Sequence, residues 1–213
     1  LLSENGVFHI ELSYVQMMYA NNSFDTICHE HLEYYSIKSL RNILALQGLR
    51  IAKIGFNQAN GGSLWMDISK SLPECPNVEF FILTEDALGV NNGNAFKKMM
   101  ARVDQLKEEA TILLDKYQAK KLKIHGLGAS TKGNMILQYF GIDRDQINKI
   151  QEINSVKFGL STPGTNIPIV EEFSETPDAF FVLPWHFKEQ FLRESRYKNC
   201  KLIFPLPNLE LRA

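Results

Sequence analysis

The stretch Ile124-His125-Gly126-Leu127-Gly128-Ala129-Ser130-Thr131-Lys132-Gly133-Asn134 decides the fold. Residues 121–125 read as a strand and 126–129 as a tight turn. Residues 130–140 read as a helix that Gly141 stops. The glycines stand as G-x-G-x-x-x-x-G, where a dinucleotide site has G-x-G-x-x-G. The physics is shared: glycine permits a tight turn and close backbone approach, and amides at a helix N-terminus attract phosphate. Ser130 and Thr131 add hydroxyls there, and Lys132 adds a charge. The same pattern arises wherever a strand must simply enter a helix, so both readings stand.

Towards the C-terminus, 147–153 reads as a second strand. It carries Glu152 near its end, where an acid can hold a ribose in a Rossmann site. Residues 179–183 are an apolar run typical of a buried parallel strand. A helix over 185–193 and a strand over 201–204 come next. This alternation implies an α/β fold, with a doubly wound, mostly parallel sheet over 120–213. The loop 158–168 (Phe-Gly-Leu-Ser-Thr-Pro-Gly-Thr-Asn-Ile-Pro) is dense in glycine, proline and hydroxyls, Thr162 and Thr165 among them. It reads first as a surface turn and second as a ligand loop beyond the strand ends.

Towards the N-terminus lies a long amphipathic helix over 94–118. Phe96, Met99, Met100, Val103, Leu106, Ala110, Leu113 and Leu114 recur in it at steps of three and four. A helix of this length is expected to link two lobes. Before it, 7–11 reads as a strand, and Ser36 starts a helix that stops at Gly48. Residues 49–57 and 63–69 read as two strands joined at Asn60-Gly61-Gly62 as a hairpin. Pro73 and Pro76 are read as breaking regular structure after that hairpin. The opening, from Leu1 to Glu11, starts in mid-pattern, as expected of a piece of a longer protein.

The net charge of -1 argues against nucleic acid or an anionic membrane as a partner. No apolar run has the length of a membrane span, and no charged, apolar leader opens the sequence. The three cysteines, Cys28, Cys75 and Cys200, are far apart, and none forms a CxxC pair. That argues against a zinc site or a disulfide framework in this chain, and for reduced thiols in a cytoplasmic protein.

Residues 25–35 read Asp-Thr-Ile-Cys-His-Glu-His-Leu-Glu-Tyr-Tyr, with His29 and His31 flanking Glu30. They sit in a loop ahead of the Ser36 helix. Imidazole titrates near neutral pH and a carboxylate can orient it, so acid–base work is one reading. A metal site is another, although no third or fourth ligand is local. A polar structural loop is the third.

Several motifs in one order resemble a known family. Phe24-Asp25-Thr26-Ile27-Cys28-His29-Glu30-His31, followed by Tyr34-Tyr35-Ser36, is similar to the FDxIYHEHxxYxS stretch of sugar C-methyltransferases. Gly61-Gly62-Ser63-Leu64 resembles their GGS turn. The segments 126–134, 162–169 and 183–187 resemble GxGASxKGN, TPGTxIPI and LPWNF. The resemblance runs over nearly the whole chain, to enzymes that act on NDP-4-keto-hexoses in deoxysugar pathways.

Such enzymes have an N-terminal zinc-binding module, a middle S-adenosylmethionine domain of the class I methyltransferase type, and a Rossmann-like C-terminal domain. The resemblance implies that residues 1–86 are the C-terminal portion of the middle domain. It makes 87–119 a linking helix and 120–213 the C-terminal domain. The zinc cysteines and the glycine-rich turn that grips the methyl donor have no counterpart here, so this chain alone is expected to be inactive. By resemblance, His31 is the base that removes a proton beside a keto group, with Glu30, His29 and Cys28 in the same catalytic stretch. The carbanion then attacks the methyl group of S-adenosylmethionine. A tyrosine usually stands at the place of Cys28. Gly128, Ser130, Thr131, Lys132, Asn134, Thr162 and Thr165 are assigned to the nucleotide-sugar substrate, and Glu11 to the methyl donor.

Two other functions compete. One is an NAD(P)-binding oxidoreductase fragment, carried by Gly126, Gly128 and Glu152, although Ala-Ser-Thr-Lys stands where the third glycine belongs. The other is a non-catalytic module that binds a nucleotide sugar, to which the Cys28 departure gives weight.

Overall fold

The computed structural model describes residues 2–212. The chain forms two compact units. The first is formed by residues up to Ser23 together with His31–Ala101, and the second by Phe24–Glu30 together with everything from Arg102.

The first unit is a three-stranded antiparallel sheet with two helices on one face. Strand β1 (Val7–Ser13) and strand β2 (Arg50–Asn57) both pair with β3 (Ser63–Ser69), which is central. Along β3 the side chains alternate as the period of two demands: Leu64, Met66 and Ile68 are fully buried, while Trp65 and Asp67 face the other way, half-buried. Asn60 at φ 52° and Gly62 at φ 132° shape the turn between β2 and β3. A short helix, α1 (Val15–Ala20), follows β1. The core forms between the sheet and two further helices, α2 (Ile37–Ala45) and α3 (Asn77–Leu88), through Ile37, Leu40, Val78 and Ile82.

Glu85 on α3 is fully buried and closes the start of α2. Its Oε1 accepts from the Ile37 amide at 2.6 Å and the Tyr14 hydroxyl at 2.9 Å, and its Oε2 accepts from the Lys38 amide at 3.1 Å. Ser36 caps the same helix through the Ser39 amide. A carboxylate at these otherwise unpaired N–H groups is stabilised by the helix dipole.

The second unit holds a six-stranded sheet in the order β6-β5-β4-β7-β8-β9. The strands are β4 (Ile124–Leu127), β5 (Ile150–Glu152), β6 (Ile169–Glu171), β7 (Ala179–Val182), β8 (Leu202–Phe204) and β9 (Glu210–Arg212). All neighbouring pairs are parallel except β8–β9. The first five strands follow the 3-2-1-4-5 order of the Rossmann type. β4 and β7 are buried on both faces, as an apolar parallel centre requires. At the far edge Lys188 pairs with Glu210 of β9 at 2.8 Å, and Arg212 reaches the same carboxylate. The long helix α4 (Asn94–Ala119) carries the chain from the first unit into the second, with Ala95, Met99, Val103, Leu106, Ala110 and Leu114 buried along one stripe. Helices α5 (Thr131–Phe140) and α6 (Lys188–Arg193) complete the second unit.

The structure departs from the sequence expectations in several elements. Pro76 stands at the start of α3, where its missing N–H costs nothing, and Gly89 at φ 78° ends that helix. The break expected after the hairpin is present over 70–76, and Pro76 then introduces a helix that the sequence reading did not place. The helix expected over 185–193 divides into a short 3-10 turn at Trp185–Phe187 and then α6. The strand expected over 147–153 shortens to β5, and the one expected over 121–125 shifts to β4.

Replacing Glu85 by glutamine keeps the volume but turns an NH2 group towards amide donors. We expect Glu85→Gln to destabilise the first unit by about 2–3 kcal/mol. The measurement is urea denaturation followed by circular dichroism, and an unchanged midpoint would contradict the capping role.

Candidate functional site

The passage from β4 to α5 takes three residues, and each is fixed by a neighbour. Gly128 sits at φ 81°, and a Cβ there would lie 2.8 Å from the Pro184 ring. Its amide donates to the Gln151 carbonyl at 2.8 Å. A Cβ on Gly133 would collide with Leu183, so this glycine lets α5 lie close against the end of β7. Ser130 is the N-cap: its Oγ accepts from the Gly133 amide at 3.0 Å.

Ala129 donates its amide to Glu152 Oε2 at 2.8 Å. The other carboxylate oxygen, Oε1, accepts from the Ile153 and Asn154 amides at 2.8 and 3.0 Å. Lys157 lies 3.6 Å from Oε2 and donates to the Ala129 carbonyl at 2.7 Å. Burial raises the Glu152 pKa, but the Asn154 and Ala129 amides and Lys157 outweigh it and hold the carboxyl below its usual range. The turn is thus closed by the protein's own carboxylate at the amide a phosphate would use. Glu152, the acid on which the oxidoreductase reading leaned, accepts from three backbone amides here.

The strand order reverses between β4 and β7, the place where open α/β sheets bind ligands. A cavity of about 330 Å³ opens at these strand ends. Gly128, Ser130, Glu152, Phe187, Phe191 and Tyr197 are among the residues lining it. That volume suits a small organic ligand. Arg196 on its wall is paired with Glu172 at 2.9 Å and also with Glu194. The Tyr197 hydroxyl bonds to Glu172, and burial together with that carboxylate pushes the phenol pKa up.

The segment Phe24–Glu30 belongs to this unit. Phe24 stacks on Phe140 with ring centroids 5.8 Å apart. Asp25 has no exposed surface. Its Oδ2 accepts from the Trp185 indole N–H at 2.8 Å, and the Lys132 ammonium stands 4.0 Å away. Asp25 Oδ1, Asn134 Oδ1 and His186 Nδ1 are buried without a hydrogen-bond partner among the described residues. Burial pushes the Asp25 carboxyl pKa up, against the pull of Lys132 and the indole. Burial, with the nearby Lys132 charge, pushes the His186 pKa down to about 4.

At the other end of the segment, Thr131 Oγ1 donates to Glu30 Oε1 at 3.2 Å, and His29 Nε2 lies 3.9 Å from the same oxygen. Cys28 is buried, while His29 and Glu30 are exposed. His31 belongs to the first unit, half-buried, with its carbonyl accepting from the Tyr34 hydroxyl at 2.9 Å. Glu11 lies exposed on β1 and accepts from Asn57 at 3.1 Å. Thr162 and Thr165 bond to each other at 2.6 Å inside their own loop, and neither is among the cavity residues.

The structure therefore brings Glu30 to Thr131, Lys132 to Asp25, and Gly128 and Ser130 to the cavity. Sequence reasoning missed Asp25, Trp185 and His186 as a buried polar cluster. The available signal was a single acid between Phe24 and Thr26-Ile27, and an indole, whose N–H needs an acceptor when buried.

Residues 58–207 match the family model described as the C-methyltransferase C-terminal domain. The chain belongs to this family. It is also 26% identical, over 216 residues, to the C-methyltransferase NovU of Streptomyces niveus, a match covering 97% of this chain and 51% of that protein. The chain thus spans about half the length of the curated relative it matches. No described helix is long and apolar enough to cross a membrane, and no group of three or more His, Cys, Asp or Glu among the described residues is placed to hold a metal.

The depressed pKa of His186 has a sign that can be measured. An unfolded histidine takes up a proton near pH 6.5, while the folded ring stays neutral down to about 4. Its contribution to stability is therefore lost as pH falls through that window. His186→Asn is expected to show a smaller drop in melting temperature between about pH 7 and about pH 5 than the parent chain. Equal drops would mean that the ring titrates normally in the fold.

Proposed function

We propose that the chain is the C-terminal portion of an S-adenosylmethionine-dependent C-methyltransferase that acts on a nucleotide-linked keto sugar. The second unit anchors the nucleotide end of that substrate. The observation that carries this reading is the cavity at the β4/β7 switch point of a C-methyltransferase C-terminal domain. Phe187, Phe191 and Tyr197 give it an aromatic wall for a base. Gly128 and Ser130 line it and are assigned to the substrate.

Glu11, assigned to the methyl donor, is an exposed strand residue that accepts from Asn57. S-adenosylmethionine, bound in the whole protein, would supply the methyl group as an electrophile. This chain would supply the proton chemistry and the anchorage. His31 removes the proton on the carbon next to the keto group, and the electron pair passes into the enolate. Glu30 stands next to it in sequence as the accompanying carboxylate. Cys28, at the place where the motif that this stretch resembles has tyrosine, narrows what can bond the substrate oxygen. General base catalysis of this kind contributes about 10²–10⁴-fold to a rate.

A thermal-shift screen against dTDP, UDP, GDP, NADH and S-adenosylmethionine tests the assignment. A ligand that binds only the folded state raises the melting temperature by mass action. Stabilisation by a nucleoside diphosphate, with none by S-adenosylmethionine or NADH, is expected, together with no methyl transfer by this chain alone. Stabilisation by NADH alone, or donor-dependent turnover by the 213-residue chain, would overturn the reading. In the whole enzyme, His31→Ala is expected to abolish deuterium exchange at the substrate carbon.

A further inference from the structure

The segment Phe24–Glu30 is held to the second unit at both ends by the first turn of α5 and by Trp185. At one end the Phe24 ring lies against Phe140 and Tyr139, with centroids 5.8 and 5.0 Å away. Asp25 comes next, with no exposed surface, bonded to the Trp185 indole and facing Lys132. At the other end Glu30 accepts from Thr131. Thr131 and Lys132 are consecutive, so one turn of helix meets both ends of the segment.

A carboxylate is an expensive way to fill a buried position. Removing it from water costs several kcal/mol, which a single ion pair rarely repays, and an apolar side chain of similar size would often serve stability as well. What a carboxylate adds is direction. It accepts from an indole N–H only along a defined line, and it draws one ammonium to one side. Its second oxygen, buried and without a partner among the described residues, marks a group placed for geometry rather than for full satisfaction.

We propose that Asp25 is a positioning residue: through Trp185 and Lys132 it fixes the segment 24–30 on the first turn of α5, so that the Glu30 carboxylate meets Thr131. The role of Glu30 in proton transfer rests on the methyltransferase reading above; the positioning itself does not.

The test uses the 213-residue chain with Asp25→Ala, Asp25→Asn and Thr131→Val. Two readouts are followed by NMR: the carboxyl ¹³C shift of Glu30, and amide exchange over 26–30 compared with β7. Asp25→Ala is expected to move the Glu30 resonance in the same direction as Thr131→Val. It is also expected to speed exchange over 26–30 by about tenfold or more while β7 stays protected. Asp25→Asn, which can still accept from the indole, should fall between the alanine variant and the parent. It keeps the test decisive if the alanine variant does not fold.

An unmoved Glu30 resonance, or exchange that rises equally in β7, would overturn the proposal, since a purely structural role does only that. Neither readout uses methyl transfer. A whole protein that fails to methylate would sink the functional reading and leave this result standing, and the reverse also holds.

Discussion

The second unit depends on one steric constraint: β4 must end and α5 must begin within three residues, against the end of β7. Only a glycine can take the φ of residue 128 beside Pro184, and only a glycine at 133 lets the helix approach Leu183. Once the chain is forced through that passage, the Ala129 amide points into the space beyond the strands. Glu152, at the end of the adjacent strand, answers it with a carboxylate, and Lys157 ties both to the following turn. The passage, the end of β5 and the turn after it form one hydrogen-bonded piece. The cavity opens beside that piece, and its shape depends on it.

Much of this was legible in the sequence because steric constraints leave residue-level marks. The glycines of the turn and the stop at Gly141 each specify a local geometry. The apolar run at 179–182 fits only a strand buried on both faces. Elements without a period of their own were not legible. β6 and β9 have three residues each, too few to show alternation, and they exist because a neighbouring strand offers hydrogen bonds. Helix α3 was hidden by Pro76, which stops a helix from within but starts one from its edge. The candidate site divides in the same way. Residues that act through backbone geometry could be read. The meeting of Asp25 with Trp185, 160 positions apart, could not, because nothing local records a long-range partner.

The two units handle buried acids in opposite ways. Glu85 in the first is surrounded by donors: two amides, a phenol and the Asn91 side chain. It serves as an internal cap. Asp25 in the second accepts from the Trp185 indole, feels the Asp25 and Thr26 amides and stands 4.0 Å from the Lys132 ammonium, while its Oδ1 is unanswered among the described residues. The contrast separates an acid that stabilises from one that orients.

The antiparallel β9 has a consequence for the molecule among its own kind. A sheet edge presents unpaired N–H and C=O groups that invite another chain to join. Here that edge carries Glu210 and Arg212 on alternate positions, with Lys188 drawn in from α6. A second strand laid against it would have to bury or displace three charges. The sheet's own last strand therefore acts as a guard against growth, keeping a strongly apolar centre from becoming a template for aggregation.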